Sequence, residues 1–167
     1  MFSKILIPLD GSDEAEAALG PAVEIAKRFN SNVVLLEVTP GYGQIIGASA
    51  AESFGASGSV EAAATVAQAA ESAANSYLDS LRGKYGNPNW QVLVGEGGAG
   101  TAIADTSVRL GADLIVMATH ARTGIKRLFL GSVADDVIRN VGIPVLVVQM
   151  PDEDDERHEP EHEPQAP

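Results

Sequence analysis

A cluster of basic side chains directly before a Gly-Ser pair is the part of the sequence best suited to chemistry. Residues 118–136 read ATHARTGIKRLFLGSVADD. Positive side chains close to the start of a helix are typical of sites that bind an anion such as nucleotide phosphate. A solvated loop that precedes a capped helix is the competing interpretation. The residues concerned are His120, Arg122, Lys126, Arg127, Gly131 and Ser132.

The Gly131-Ser132 pair fits both interpretations. Ser132 is predicted to be the N-cap of a helix over 132–140, and Asp135 stands three residues later, where a capping box has its acid. The start of the same helix would also expose free N–H groups and about half a positive charge, which favours phosphate. Gly131 has no Cβ, so a phosphate can approach the backbone closely there. Local chemistry leaves simple capping and anion binding both open.

Asp10 is the second candidate, because it follows the apolar run KILIPL at 4–9 and begins the turn DGSD. At the end of a buried strand its carboxylate can accept hydrogen bonds from a ribose hydroxyl or help to hold a divalent metal. The alternative is an Asx-turn, in which the carboxylate bonds the backbone two residues on.

The sequence contains no convincing catalytic set. His120 is the only histidine outside the acidic C-terminal segment, and the chain has no cysteine, which excludes thiol catalysis and disulfides. The glycine-rich GEGGAG at 95–100 lacks the Lys-Ser/Thr of a phosphate loop and is interpreted as a tight strand-to-helix turn. We therefore expect a protein that is not an enzyme, with slow ATP hydrolysis not excluded.

The elements that must position these residues alternate along the chain. Apolar runs predict buried strands, and helical spacing between them predicts helices, so the order is that of a five-stranded parallel sheet covered on both faces. Ligands bind such sheets beyond the carboxyl ends of the strands, where the strand order reverses. The predicted strands are 4–9, 33–38, 89–94, 112–118 and 143–149, and the predicted helices are 14–29, 59–82, 101–110 and 132–140.

Several local signals refine these boundaries. Ser12 is a plausible N-cap for the first helix, and Gly20-Pro21 is expected to bend it. Gly83 and Gly111 are expected to end the second and third helices. Residues 39–58 are rich in glycine and serine and form the longest irregular section, which is often functional or mobile.

Length and charge divide the chain into a folded body and a tail. The chain has 167 residues and a formal net charge of −12. Residues 152–167 hold eight acids and one arginine, or −7, so the body carries about −5. We expect one domain over 1–150 and a disordered acidic tail over 151–167, which serves solvation, partner binding or adaptation to salt. No extensive basic surface, membrane span or signal peptide is visible, so nucleic acid is an unexpected ligand and a cytoplasmic location is expected.

Three stretches together resemble the universal stress protein family: KILIPLDGSDEAEAAL at the start, ADLIVMATHARTG in the second half and LFLGSVADDVIRNVGIPVLVV at the end. The resemblance covers about residues 2–149. It implies a Rossmann-like, adenine nucleotide alpha hydrolase-like fold. It also implies a homodimer in which the last strand, Pro144 to Gln149, pairs with its copy, and such pairing would protect an apolar edge strand.

The resemblance further implies an ATP site with Mg²⁺ bound to the nucleotide. ATP-binding members carry G-x2-G-x9-G-[S/T] after the fourth strand, and its four positions fall here on Ala118, Ala121, Gly131 and Ser132. Asp10 would contact ribose or metal, the Val38 backbone would meet adenine, and the amides of Ser132 and Val133 would hold phosphate. The full implied set is Pro8, Asp10, Val38, Ala118, Ala121, Arg122, Gly131, Ser132 and Val133.

The spacing of that motif is intact, but alanine replaces its first two glycines. If position 121 needs positive φ or a close phosphate approach, the methyl group costs about 1–2 kcal/mol, or roughly 5- to 30-fold in affinity. Two main functions follow. One is an ATP-binding stress regulator that acts through dimerisation and an unidentified protein partner. The other is a nucleotide-independent interaction protein with a decayed site. A nucleotidyl transferase or hydrolase is the third, least supported reading.

Overall fold

The computed structural model describes residues 1–41, 43–45, 47, 59–85, 89–119 and 131–149. The strands are β1 Lys4–Leu9, β2 Asn32–Thr39, β3 Gln91–Glu96, β4 Leu114–Thr119 and β5 Val145–Gln149. The helices are α1 Asp13–Glu16, α2 Leu19–Phe29, α3 Ser59–Lys84, α4 Ala99–Leu110 and α5 Ser132–Asn140.

The five strands form one parallel sheet in the order β3-β2-β1-β4-β5. The predicted α/β class, with a five-stranded parallel sheet and helices on both faces, is confirmed. The order reverses between β1 and β4: from β1 the chain continues to β2 on one side, whereas β4 continues to β5 on the other. The carboxyl ends of β1 and β4 therefore face a crevice at the centre of the sheet.

Alternation along the strands divides the core into two layers. One layer lies under α1, α2 and α3 and includes Ile7 of β1 and Val116 of β4. The other lies under α4 and α5 and includes Leu6 of β1 and Met117 of β4. Because neighbouring strand residues point to opposite faces, both layers are apolar and the strands appear as continuous hydrophobic runs.

The first predicted helix, 14–29, is two helices. Ser12 caps α1 as predicted, since its Oγ accepts a hydrogen bond from the Ala15 amide at 3.1 Å. The break lies at Ala17, whose carbonyl would need the amide of Pro21 four residues later. Proline has no N–H, so the helical bond is missing and the chain restarts at Leu19. The predicted disturbance by Gly20-Pro21 therefore takes the form of a break before the pair.

Other helix and strand boundaries differ from the predicted ones by a few residues. The helix predicted to end at Gly83 continues through Lys84, and β3 and β4 each begin two residues later than predicted. Pro144 precedes β5, although its carbonyl accepts a hydrogen bond from the Ile115 amide at 3.0 Å. Residues 43–45, inside the section predicted to be irregular, are helical. The predicted tail, 151–167, lies outside the described residues.

Candidate functional site

The carboxyl end of β1 supplies Pro8 and Asp10. Pro8 is buried in the strand and lies level with Leu36 of β2. Asp10 is exposed, and its Oδ1 accepts hydrogen bonds from the Ser12 amide at 3.0 Å and the Ser12 hydroxyl at 2.5 Å. This is the Asx-turn considered from the sequence, and Gly11 completes it with a φ of +81°. The turn holds the Asp10 carboxyl at the mouth of the crevice.

The carboxyl end of β4 lies beside Asp10. Ile5 pairs with Leu114 and Leu6 with Ile115; the same register, continued along both strands, sets Leu9 level with Ala118. Ala118 is half-buried in β4 and packs toward the α1–α3 layer. The structure therefore brings together Asp10 and Ala118, two positions that are 108 residues apart in the sequence.

The start of α5 differs from the prediction in one respect. Gly131, not Ser132, is the N-cap, and Ser132 is the first helical residue, so the predicted Ser132 cap is wrong. Gly131 adopts φ +74° and ψ 149°, which an L side chain rarely tolerates, and its carbonyl accepts the Asp135 amide at 3.0 Å. The Asp135 carboxylate bonds Arg139 Nε at 2.8 Å rather than serving a capping box.

The start of α5 is exposed in the part of the chain that the structure describes. No side-chain hydrogen bond from the described residues caps it, and a Cβ built on Gly131 would meet no described atom within 4 Å. Gly131 and Ser132 are exposed, and Val133 is 37% exposed. With respect to the described residues, the first-turn amides and the positive helix end are therefore free to meet a ligand.

Val38 lies on β2, two strands from β4, level with Gly95 of β3. It packs against the α4–α5 layer, the same face that carries the start of α5. Next to it, the buried Thr39 donates its hydroxyl to the Gly95 carbonyl at 3.3 Å and accepts the Gly97 amide on its own carbonyl at 3.0 Å. These bonds fix the turn between β3 and α4, which the GEGGAG stretch was predicted to form.

The remaining predicted site residues, Ala121 and Arg122, lie outside the described residues, as do the neighbouring basic side chains of the loop.

Two polar residues that the sequence analysis did not single out adjoin this edge. Thr119, the last residue of β4, is 6% exposed, and its buried Oγ1 has no hydrogen-bond partner among the described residues. Glu37 of β2 has a buried Oε2 that likewise lacks a partner within the described part of the chain. Burial, and then the negative charge of Asp10, raises the pKa of the Glu37 carboxyl. A charged residue inside the apolar run VVLLEV was the sequence signal for Glu37; Thr119 had none.

A group of three polar residues, Tyr77, Glu16 and Lys84, lies near Glu37 on the α1–α3 face of the sheet. The Tyr77 hydroxyl of α3 donates to Glu16 Oε1 at 3.4 Å, and Lys84 Nζ lies 3.2 Å from Glu16 Oε2. Burial, with Glu16 as the next cause, raises the pKa of Tyr77. Among the described residues, no group of three or more histidine or carboxylate side chains is placed to hold a metal ion.

These features define a class of protein: a doubly wound α/β domain with a crevice at the switch point and a helix N-terminus beside it. Within that class, the model of the universal stress protein family matches residues 1–149. The chain belongs to the universal stress protein family.

Individual relatives agree with that assignment. The chain is 33% identical to universal stress protein MJ0531 of Methanocaldococcus jannaschii over 154 residues, which cover 90% of this chain and 84% of the relative. It is 28% identical to universal stress protein Sll1388 of Synechocystis over 155 residues, covering 89% and 98% of the two chains.

Solved structures have the same fold. Universal stress protein UspA from Lactobacillus plantarum superimposes with a TM-score of 0.70 at 22% identity, over 88% of this chain and 97% of that one. A universal stress protein solved in complex with cAMP gives a TM-score of 0.54 at 20% identity, over 89% and 97% of the two chains. At these identities the likeness concerns the fold. No helix within the described residues is long and apolar enough to cross a membrane.

Proposed function

We propose that this protein binds ATP with Mg²⁺ in the crevice between β1 and β4, and acts as a stress-response regulator through its dimer and a protein partner. The observation that carries the proposal is the start of α5. It begins on a glycine of positive φ and lies at the switch point of the sheet, and no side chain of the described residues caps it by a hydrogen bond. A triphosphate supplies the anion that such a helix end favours.

The other proposed contacts follow from where the residues lie. The exposed Asp10 carboxyl stands at the end of β1, where it can bond ribose or complete the shell of a phosphate-bound Mg²⁺. Mg²⁺ needs only one or two carboxylates when phosphates and water supply the rest, so one carboxylate is a sufficient protein ligand. The backbone of Val38 meets adenine, and Pro8 lines the floor beneath it. A relative of the same fold was solved with a cyclic nucleotide, which supports a nucleotide as the ligand class.

The dimer is proposed to form at β5. This strand is at one edge of the sheet, with β4 as its neighbour in the described sheet, and its Leu146 is 37% exposed. An apolar edge strand is protected when a second copy pairs with it. Sedimentation that finds only monomer at micromolar concentration would contradict this part of the proposal.

We further propose that the protein is a dimeric cytoplasmic regulator. Residues 1–150 would form its nucleotide-binding domain and residues 151–167 a disordered tail. The competing function is an interaction protein that does not use nucleotide, favoured by the alanines at 118 and 121. The two functions differ in one measurable property, the affinity for ATP.

Isothermal titration of the full chain with ATP and Mg²⁺ tests the proposal, beside an Ala121→Gly variant. We expect micromolar binding by the unmodified chain, and binding up to about 5- to 30-fold tighter by the variant if the methyl group crowds the phosphate. Binding by the variant alone would mean that one methyl group has closed the site. If neither chain bound ATP, nucleotide binding would be contradicted, and the interaction protein would be the better explanation.

A further inference from the structure

The Asp10 carboxyl is joined to helix α1 through Ser12. The Ser12 amide donates to Asp10 Oδ1 at 3.0 Å, and the Ser12 hydroxyl donates to the same oxygen at 2.5 Å. Ser12 Oγ in turn accepts the Ala15 amide of α1 at 3.1 Å. Of the described residues, only Ser12 forms a hydrogen bond with the Asp10 carboxyl. The position of this carboxyl in the crevice therefore depends on the position of α1.

Helix α1 is too short to fix its own orientation. It has four residues, Asp13–Glu16, and helices of fewer than about 12 residues are marginal without tertiary contacts. None of its residues is buried, and Ala15 packs against the core with only part of its surface. Ala18, fully buried just after α1, anchors one point of the chain. A single anchor leaves the helix free to turn about it, so a second contact is needed.

Glu16 supplies that contact, because both of its carboxylate oxygens are bonded to α3. The Tyr77 hydroxyl donates to Oε1 at 3.4 Å, and Lys84 Nζ lies 3.2 Å from Oε2. Burial and Glu16 raise the pKa of Tyr77, so the phenol keeps its proton and remains a donor. The Glu16 side chain is 22% exposed, whereas Glu24, which pairs with Lys27 within α2, is 76% exposed. Solvent therefore screens the Glu16 bonds less than an ordinary surface ion pair.

We propose that Glu16 is a positioning residue for the nucleotide. Its bonds to α3 hold α1, and α1 holds the Asp10 carboxyl where a ribose hydroxyl or the nucleotide-bound Mg²⁺ meets it. This inference rests on the proposed nucleotide site. It adds to that site a residue that touches no ligand, and it makes the affinity for nucleotide depend on the contact between α1 and α3.

Three substitutions weaken this contact by different amounts. Glu16→Ala removes both bonds, whereas Tyr77→Phe and Lys84→Met remove one each. We expect Glu16→Ala to bind MgATP about five- to tenfold more weakly in isothermal titration, and each of the other two about twofold more weakly. Glu24→Ala is the matched control, because it breaks an exposed ion pair within α2, and it should leave the MgATP affinity unchanged.

A double-substitution cycle with Asp10 separates positioning from general packing. Asp10→Asn keeps an acceptor for Ser12, so the turn is preserved, but it removes the carboxylate that Glu16 positions. Glu16→Ala should therefore change the MgATP affinity by less than about twofold in the Asp10→Asn background. An equal loss in both backgrounds would mean that Glu16 acts through another part of the site, and the inference would be wrong.

Hydrogen exchange measures the α1–α3 contact without a ligand. The Ala15 amide, which donates to Ser12 Oγ, should exchange about tenfold faster in Glu16→Ala than in the unmodified chain, and at an unchanged rate in Glu24→Ala. Unchanged exchange in Glu16→Ala would show that Glu16 does not hold α1 and would overturn the inference.

The two proposals can fail separately. If the unmodified chain binds MgATP and Glu16→Ala binds it equally well, the positioning role is wrong and the nucleotide site stands. If the unmodified chain binds no MgATP, both proposals fall. Should Glu16→Ala fail to fold, the combined Tyr77→Phe and Lys84→Met variant makes the same comparison, because it removes the same two bonds from the side of α3.

Discussion

Two helices begin on glycine at the carboxyl edge of the sheet, and they differ in what stands in front of them. α4 follows Gly98 and α5 follows Gly131, and no described side chain caps either helix by a hydrogen bond. At α4, the side chain of Asp136 lies against Gly100, the second residue of the helix. At α5, Asp135 is bonded to Arg139, and a Cβ built on Gly131 would meet no described atom within 4 Å.

The comparison shows that glycine content does not identify an anion site. GEGGAG looks more like a phosphate loop than LFLGSV does, yet the side chain of Asp136 already lies against the first turn of its helix. A helix N-terminus can bind a ligand only where its amides are free and reachable. That property depends on neighbouring elements, and substitutions at the two helix starts can test it.

The largest expected effect is at Gly100. A Cβ there would lie 2.2 Å from Asp136 Oδ2 and 2.7 Å from Asp136 Cβ and Cγ. The Asp136 carboxylate can rotate away from the added Cβ of residue 100, but the Asp136 Cβ is fixed to the α5 backbone. The two helices, α4 and α5, must therefore separate. We expect Gly100→Ala to lower the free energy of unfolding by about 3 kcal/mol, measured by urea denaturation.

Asp136→Gly is the control for that substitution, since it removes all three crowding atoms. Gly100→Ala should cost much less in the Asp136→Gly background than in the unmodified chain. Equal costs in both backgrounds would mean that the two helices are not in tight contact.

A smaller effect is expected at Gly131. Alanine cannot easily adopt φ +74° with ψ 149°, so Gly131→Ala should lower the free energy of unfolding by about 1–2 kcal/mol. It should also weaken MgATP binding, because the first amides of α5 must shift. Denaturation and isothermal titration measure the two effects separately.

Gly98→Ala is the matched control at α4. Gly98 has φ −71° and ψ 123°, which alanine adopts readily, and a Cβ there meets no described atom within 4 Å. We expect little change in stability or in MgATP affinity. If Gly98→Ala weakened binding as much as Gly131→Ala, the contrast between the two helix starts would be wrong.

The smallest effect is a pH dependence at Glu37, on the β2 side of the same edge. Burial and the charge of Asp10 raise the pKa of this carboxyl in the folded protein, so the folded state holds the proton more tightly than the unfolded state does. The contribution of Glu37 to the free energy of unfolding therefore falls as the pH rises. The fall begins near 4.5, the ordinary pKa of glutamate, and ends above the raised pKa of the folded state.

Glu37→Gln removes that titration. The stability of the variant relative to the unmodified chain should rise with pH across this window and stay constant above it, as measured by urea denaturation at a series of pH values. A difference that is flat across the window, or that falls with pH, would contradict the burial of the carboxylate. Asp10→Asn should reduce the dependence, because it removes the second cause.

The sequence alone determined the class of fold and most of its elements. Continuous apolar runs such as KILIPL and LIVMAT, alternating with helical segments, are typical of a parallel sheet covered on both faces, and the helices between them follow from spacing and caps. Ser12 and Gly111 cap their helices as predicted, because these effects involve neighbours in the chain. The family followed from three long stretches at the start, middle and end of the body.

The tertiary structure decided the rest, since those features depend on contacts between distant residues. Strand order put Asp10 beside the end of β4, and no local pattern contains that order. Gly131 rather than Ser132 is the N-cap of α5, because the chain enters this helix with positive φ at Gly131. Asp136 lies against Gly100 only because α4 and α5 pack together. The unpaired buried atoms of the described residues, Thr119 Oγ1 and Glu37 Oε2 among them, are found only when each buried polar atom is matched with its neighbours in space.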